Sequence, residues 1–236
     1  MHRPLPGPWP KKIPTLTEEQ QRVHAEFYQI WLEELPKRHG VLERFNHGYP
    51  LRTVRDQIQK TLDIGAGRGE HLAYESLESQ HYFALELRPE LAGPINASYP
   101  EAKVVIGDIQ QHVDFPDGYF DRIMAIHVLE HLPDLPRALD EIRRLLNKTG
   151  LFAVLIPCAP GLAYEMGRNL SARRIFEQRF KQSYDWFINC EHINSPHEII
   201  AELEPRFLVV DKTFFPLRIP LVDLNLVIGL TLTHLK

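Results

Sequence analysis

Apolar residues recur along this chain in two rhythms. Near the N-terminus Val23, Phe27, Ile30, Trp31 and Leu35 fall three and four apart, which predicts an amphipathic helix. "TEEQ" at Thr17–Gln20 fits a capping box at its start, and Pro36 is the expected stop. From Lys60 the rhythm changes to short continuous apolar runs: "KTLDIG", "HYFALEL" (81–87), "AKVVIGD" (102–108), "YFDRIMAIH" (119–127) and "GLFAVLIP" (150–157). Such runs suit strands covered on both faces. The segment from Gly69 to Leu77 reads as a helix between the first two strands. Between the fourth and fifth, Leu135, Ala138, Leu139, Ile142, Leu145 and Leu146 make one stripe, with Pro136 in the first turn and Gly150 past the end.

Strands alternating with helical segments predict an α/β fold with a doubly wound, mostly parallel sheet. Residues 158–194 break the alternation and read as an insertion after the fifth strand. "SPHE" at Ser195–Glu198 is a second capping box, opening a helix to about Pro205. "FLVVDKTFF" (207–215) and "LNLVIGLTL" (224–232) complete seven strands. Their connector is too short for a parallel crossover, so this pair is expected to be antiparallel. Residues 1–14, rich in Pro and Lys, read as an extended arm, and 37–56 as irregular or holding a short helix. The expected organisation is an N-terminal arm and helical extension over 1–56, then one domain over 57–236 with 158–194 as a cap-like insertion.

Composition narrows the partners. In 236 residues the formal net charge is −4, which disfavours broad phosphate contact, so no large nucleic acid is expected. Two cysteines, Cys158 and Cys190, are too few for a disulfide framework and wrongly spaced for zinc, so no metal is expected and reduced thiols in the cytoplasm are. "MHRPLPGPWPKK" lacks the apolar core of a secretory signal. Ile219–Leu235 is interrupted by Asp223, Asn225 and Gly229, too short and polar for a membrane span. Nothing in the sequence sets an oligomeric state.

The chemistry starts at "DIGAGRG", with Asp63, Gly65, Gly67 and Gly69 as G-x-G-x-G. The dehydrogenase fingerprint needs a glycine at 70, where Glu70 stands, and the triphosphatase loop needs an absent Gly-Lys-Ser/Thr. A tight strand-to-helix turn without any ligand is the plain alternative. Two more acids count against it. Glu86 ends the second strand, placed to take two ribose hydroxyls, and Asp108 ends the third, where it could accept from an adenine amino group. Ligands of open parallel sheets sit at that carboxyl edge.

"LDIGAGRGEHL", "ALEL", "IGDIQQ" and "FDRIMAIHVLEHLPDLPRALDEIRRLLNKTGLFAVLIP" together resemble the class I S-adenosylmethionine-dependent methyltransferases, of the broad type 11 group. The resemblance covers about residues 57–157, and "HVLEHL" is its most specific part. It implies a Rossmann-like methyltransferase fold with S-adenosylmethionine as cofactor. It also implies that Gly65 and Gly67 approach the methionyl part, with Asp63 near its amino group. Glu86 then holds the ribose, Asp108 the adenine amino group, Ile109 packs on the adenine ring, and His127 lies near the sulfonium end. Gly69 has helix packing as its plainer role.

A methyltransferase must align its acceptor and, for an oxygen acceptor, take a proton. His127 and His131 are the first candidates for the base, with His192 and His197 behind them. The plainer roles are pocket lining for His127, loop orientation for His131 with Glu130, and an exposed first helical turn for His197. The insertion holds Arg168, Arg173, Arg174, Arg179 and Lys181 among Tyr164, Phe176, Phe180, Tyr184, Trp186 and Phe187. It could grip an anionic or sugar-like acceptor; the favoured alternative is a helix with aromatics inward and arginines in water. Phe27, Tyr28 and Trp31 offer a second wall. The expected function is methyl transfer to an oxygen or nitrogen of a small-molecule acceptor. A catalytically silent cofactor-binding subunit and a nucleotide-dependent oxidoreductase are the alternatives.

Overall fold

The computed structural model describes residues 8–38, 40–55 and 59–235, and for 31–38 the backbone only. The expected roles of Trp31 and Leu35 therefore lie outside the described side chains, as does the first half of the arm. Helix α1 spans Glu18–Arg38 and α2 Gly40–Gly48. The capping box at the start of α1 is present: Thr17 Oγ1 accepts from the Gln20 N–H at 3.2 Å, and Gln20 Oε1 from the Thr17 N–H at 3.0 Å. Pro36 does not stop α1, which runs on to Arg38. In a last turn the missing N–H forfeits one bond, and no long stretch of helix follows to be kinked.

Strands β1 (Gln59–Ile64), β2 (Gln80–Glu86), β3 (Lys103–Ile106), β4 (Phe120–Ile126), β5 (Leu146–Pro157), β6 (Phe207–Phe215) and β7 (Val227–His234) form one sheet in the order β3-β2-β1-β4-β5-β7-β6. The winding reverses between β1 and β4, the position at which such sheets take ligands. β1 to β5 pair in parallel, while β7 runs antiparallel to both β5 and β6. The last strand is reversed, as its short connector requires.

Helices α3 (Pro89–Ser98), α4 (Leu135–Leu145) and α8 (Pro196–Leu203) flank the sheet, and α5 (Leu162–Leu170), α6 (Ala172–Phe180) and α7 (Asp185–Glu191) make up the insertion. The stripe of α4 is fully buried against Ile123, Phe152 and Val154. The capping box of α8 forms: Ser195 Oγ accepts from the Glu198 N–H, and Glu198 Oε2 from the Ser195 N–H at 2.8 Å. α3 carries Gly93 and Pro94 in its interior, which removes the usual sequence signal for a helix.

Gly69–Leu77 corrects the sequence reading. No α-helix forms there; the chain makes short 3₁₀ turns at Glu70–Tyr74 and Leu77–Ser79. The cause lies in the core. Arg122 of β4 is wholly buried, and the Glu75 carboxylate comes in to meet its Nη2 at 2.8 Å. Glu75 also accepts from His71 Nε2 at 2.6 Å and from Gln80 Nε2 at 2.8 Å. Leaving a buried guanidinium unpaired costs about 3–5 kcal/mol, more than a short helix with few apolar positions returns.

Candidate active site

The glycine turn leaves the end of β1 and is tied to β2. The N–H groups of Gly65 and Ala66 donate to Leu85 O at 2.8 and 3.2 Å. Gly65 has φ +67° and Gly67 φ +59°, conformations that L side chains rarely adopt. A Cβ at Gly65 would stand 2.6 Å from Val128 Cγ2, and one at Gly67 2.8 Å from Glu70 Oε2. The turn is therefore bare backbone by necessity. Gly69 has φ +88°, and a Cβ there would stand 3.1 Å from both Ile95 Cγ1 and Leu72 Cδ1.

Three acids line this edge in different states. Asp63 is buried and accepts from the Tyr82 hydroxyl at 2.7 Å. Burial pushes its carboxyl above the usual range, against the pull of His71 and the Tyr82 bond. Glu86, 4% exposed, accepts from the Gly67 N–H through Oε2 and from the Arg88 N–H through Oε1, both at 2.9 Å. Asp108 is half-buried, and its Oδ1 accepts from the Gln110 N–H at 2.9 Å. Ile109 beside it is buried in the core.

At the end of β4, His127 takes φ +54°, a left-handed conformation. Its Nδ1 lies 3.4 Å from Glu130 Oε1. Glu130, 1% exposed, is the centre of a group whose histidines the sequence offered as candidate bases, while Glu130 itself was paired with His131 for loop orientation. His131 Nε2 lies 3.8 Å from the same oxygen. The Glu130 carbonyl accepts from the Ile193 and Asn194 N–H groups, both at 3.0 Å, which draws His192 onto the cluster. Burial raises the Glu130 carboxyl, but the His127 bond and the charges of His131 and His127 outweigh it, so it stays below the usual range. Burial pushes His192 down to about 4, against the attraction of Glu130. His197 is exposed, as its place in the first turn of α8 implied.

Helix α1 and the insertion stand over this edge together. His24 Nε2 meets Glu191 Oε1 at 2.6 Å, Arg68 Nη2 donates to Gln29 Oε1 at 2.9 Å, and Arg88 stacks over Tyr28 with its carbon 4.4 Å from the ring centre. Phe27 packs into a buried cluster with Phe176, Tyr184 and Phe187. Arg168 pairs with Glu165 at 2.6 Å, Arg173 with Glu177 and Asp185, and Arg179 with Glu26 at 2.6 Å, while Arg174 and Lys181 face solvent. The aromatics thus serve the core, and three of the five cations are neutralised internally. A separate basic depression, bounded by Arg143, Arg144, Lys148 and His234, lies by the start of β5, at the opposite end of the strands.

The methyltransferase domain family Methyltransf_11 matches residues 62–154, the span from the glycine turn through β5. The probable S-adenosylmethionine-dependent methyltransferase Rv3030 of Mycobacterium tuberculosis is 25% identical over 143 residues, covering 61% of this chain and 48% of that protein. The chain thus spans about half the length of that relative. Among solved structures, the 1,6-didemethyltoxoflavin-N1-methyltransferase of Burkholderia thailandensis, with 1,6-didemethyltoxoflavin and S-adenosylhomocysteine bound, aligns with a TM-score of 0.59 at 18% identity. The alignment covers 95% of this chain and 93% of that one. A TehB-like S-adenosylmethionine-dependent methyltransferase of Corynebacterium glutamicum aligns with a TM-score of 0.58 at 16% identity, over 91% and 100%. At these identities the structures share the fold.

Proposed function

We propose that this chain transfers a methyl group from S-adenosylmethionine to an oxygen or nitrogen of a small-molecule acceptor, as supported by the match of residues 62–154 to a methyltransferase domain and by the similarity to S-adenosylmethionine-dependent methyltransferases. The observation that carries the reading is Glu86. Its carboxylate is fastened to the glycine turn by one oxygen and to the start of α3 by the other. A carboxylate has about four lone-pair sites, so two remain for the two hydroxyls of a ribose.

The other residues fit the same cofactor. When bound, S-adenosylmethionine supplies a methyl group already activated by its sulfonium. The bare turn at Gly65 and Gly67 gives backbone access to the methionyl part, and Asp63 lies beneath that turn for the amino group, directly or through water. Asp108 accepts from the adenine amino group and Ile109 supports the ring. His127 flanks the methyl end and can take a proton from an oxygen acceptor. His131 is the second candidate base, though its Nδ1 is committed to the Glu191 carbonyl at 2.5 Å, leaving Nε2 for the task.

α1 and the insertion act in this reading as one cover over the methyl side. Their mutual ion pairs leave little free charge, which favours a neutral or weakly polar acceptor over a strongly anionic one. The test is calorimetry with S-adenosylhomocysteine and NAD side by side, followed by methylation assays on metabolite extracts. S-adenosylhomocysteine is expected to bind and raise the melting temperature, and NAD to do neither. Binding of NAD alone would overturn the reading.

A further inference from the structure

We propose that Glu130, His131 and His192 form a binding site for one divalent transition-metal ion of the zinc type. Two imidazoles and one carboxylate are a donor set that such ions favour. The three candidate ligand atoms lie within 4.8 Å of one another. Glu130 Oε1 and His131 Nε2 are already 3.8 Å apart. Ligands around a tetrahedral ion stand about 3.3–3.6 Å from each other, so small side-chain rotations close the site.

Two further observations point to a ligand here. Glu130 Oε2 and His192 Nδ1 are both buried and have no hydrogen-bond partner. Buried polar groups are almost always hydrogen-bonded, and two unpaired ones at one spot are unusual. A cation satisfies both at once. The second observation concerns His131. Its Nδ1 donates to the Glu191 carbonyl, which fixes the tautomer and leaves the Nε2 lone pair directed at the cluster. Histidines that ligate metals are held in this way, by a backbone carbonyl on the other ring nitrogen.

The scaffold is braced as well. Asn194 Nδ2 donates to Leu129 O and Leu132 O, both at 2.8 Å, so the segment carrying His192 is pinned to the loop carrying Glu130 and His131. Three protein ligands leave one position of a tetrahedral ion open. His127, whose Nδ1 lies 3.4 Å from Glu130 Oε1, sets the cluster beside the carboxyl end of β4, the edge where a methyl group would be delivered. An acceptor offering an oxygen or nitrogen donor would occupy the open position; this last clause rests on the methyltransferase reading, whereas the ion site itself does not.

The test uses the full chain without a histidine tag, stripped with a chelator. Zinc(II) is titrated by calorimetry and cobalt(II) by visible absorption, with S-adenosylhomocysteine titrated into the same samples. One equivalent of each ion is expected to bind, cobalt(II) giving the intense bands of a low-coordinate site. His192→Phe keeps an aromatic ring, somewhat larger and without ring nitrogens, and touches none of the bracing bonds, so it is expected to fold and bind S-adenosylhomocysteine unchanged. Its metal affinity should fall at least about 100-fold, beyond the roughly 10–100-fold loss seen for outer partners of ligands. Glu130→Gln should do the same. No saturable binding at one equivalent overturns the proposal, as does binding unchanged in His192→Phe, which would mark adventitious surface histidines. Metal binding without S-adenosylhomocysteine binding would sustain the site and sink the methyltransferase reading instead.

Discussion

Replacing Glu86 by Gln changes one atom and tests the cofactor site directly. In the wild type each carboxylate oxygen accepts one backbone N–H, from Gly67 and from Arg88, at 2.9 Å. The amide of Gln offers one oxygen and one NH₂. Whichever way it is turned, one backbone N–H then faces a donor and one ribose hydroxyl loses its acceptor. A hydrogen bond to a charged group contributes about 1.5–3 kcal/mol, and Glu86 is buried enough for that range to apply undiminished. Loss of one such bond, with weakening of the second as the acceptor becomes neutral, amounts to about 2–3 kcal/mol. S-adenosylhomocysteine should therefore bind about 30- to 150-fold more weakly by calorimetry. The unpaired N–H should also lower the stability of the free protein by about 1–3 kcal/mol in urea. Affinity within threefold of wild type, in a variant that loses this stability, would show that the carboxylate only ties down the turn. The ribose would then lie elsewhere.

Three further outcomes are expected. Burial raises the Glu75 carboxyl, but the His71 and Arg122 bonds outweigh it and hold it near 2. A lowered native pKa stabilises above the ordinary glutamate value and is lost as pH falls, so about 3 kcal/mol should disappear between pH 4.5 and 2, read from urea unfolding across that window. Glu75→Gln should be less stable at pH 7 and show a shallower acid slope; an unchanged slope would refute the assignment. Gly65→Ala should cost about 1–2 kcal/mol for its left-handed backbone and about 1–3 more for the Val128 clash, and adding Val128→Ala should restore only the second part. Arg173→Met should cost about 1 kcal/mol by losing Glu177 and Asp185, without altering S-adenosylhomocysteine affinity; a changed affinity would place that charge in the site.

Much of the architecture follows from sequence because its causes are local. Strands β1, β2 and β4 and the second half of β5 are covered on both faces, so they read as apolar runs whatever their neighbours are; β3, at the sheet edge, keeps an apolar run but leaves Lys103 and Ile106 exposed. The stripe of α4 and the capping boxes at Thr17 and Ser195 each rest on residues within a few turns of one another. The reversal of β7 follows from the length of one connector. The glycine turn, Glu86 and Asp108 were legible for the same reason: each sits at a strand end, and parallel strands bring their ends to one edge.

Other features depend on which distant side chains meet. Arg122 follows Asp121 in an otherwise apolar strand, and nothing nearby in sequence says that Glu75, not that neighbour, will answer it; that pairing turned an expected helix into 3₁₀ turns. Glu130 is bracketed by His127 and His131, a local pattern that could have drawn attention to it. His192 stands some sixty residues on and reaches it only because the chain after α7 folds back onto the loop after β4. The basic residues of the insertion looked free in sequence, yet Arg168, Arg173 and Arg179 find acids on their own helices, on α7 and on α1. Periodicity records which face of an element avoids water, and that depends on neighbours a few residues away. The partner of a buried charge is set by how the layers close, and no local pattern carries that information.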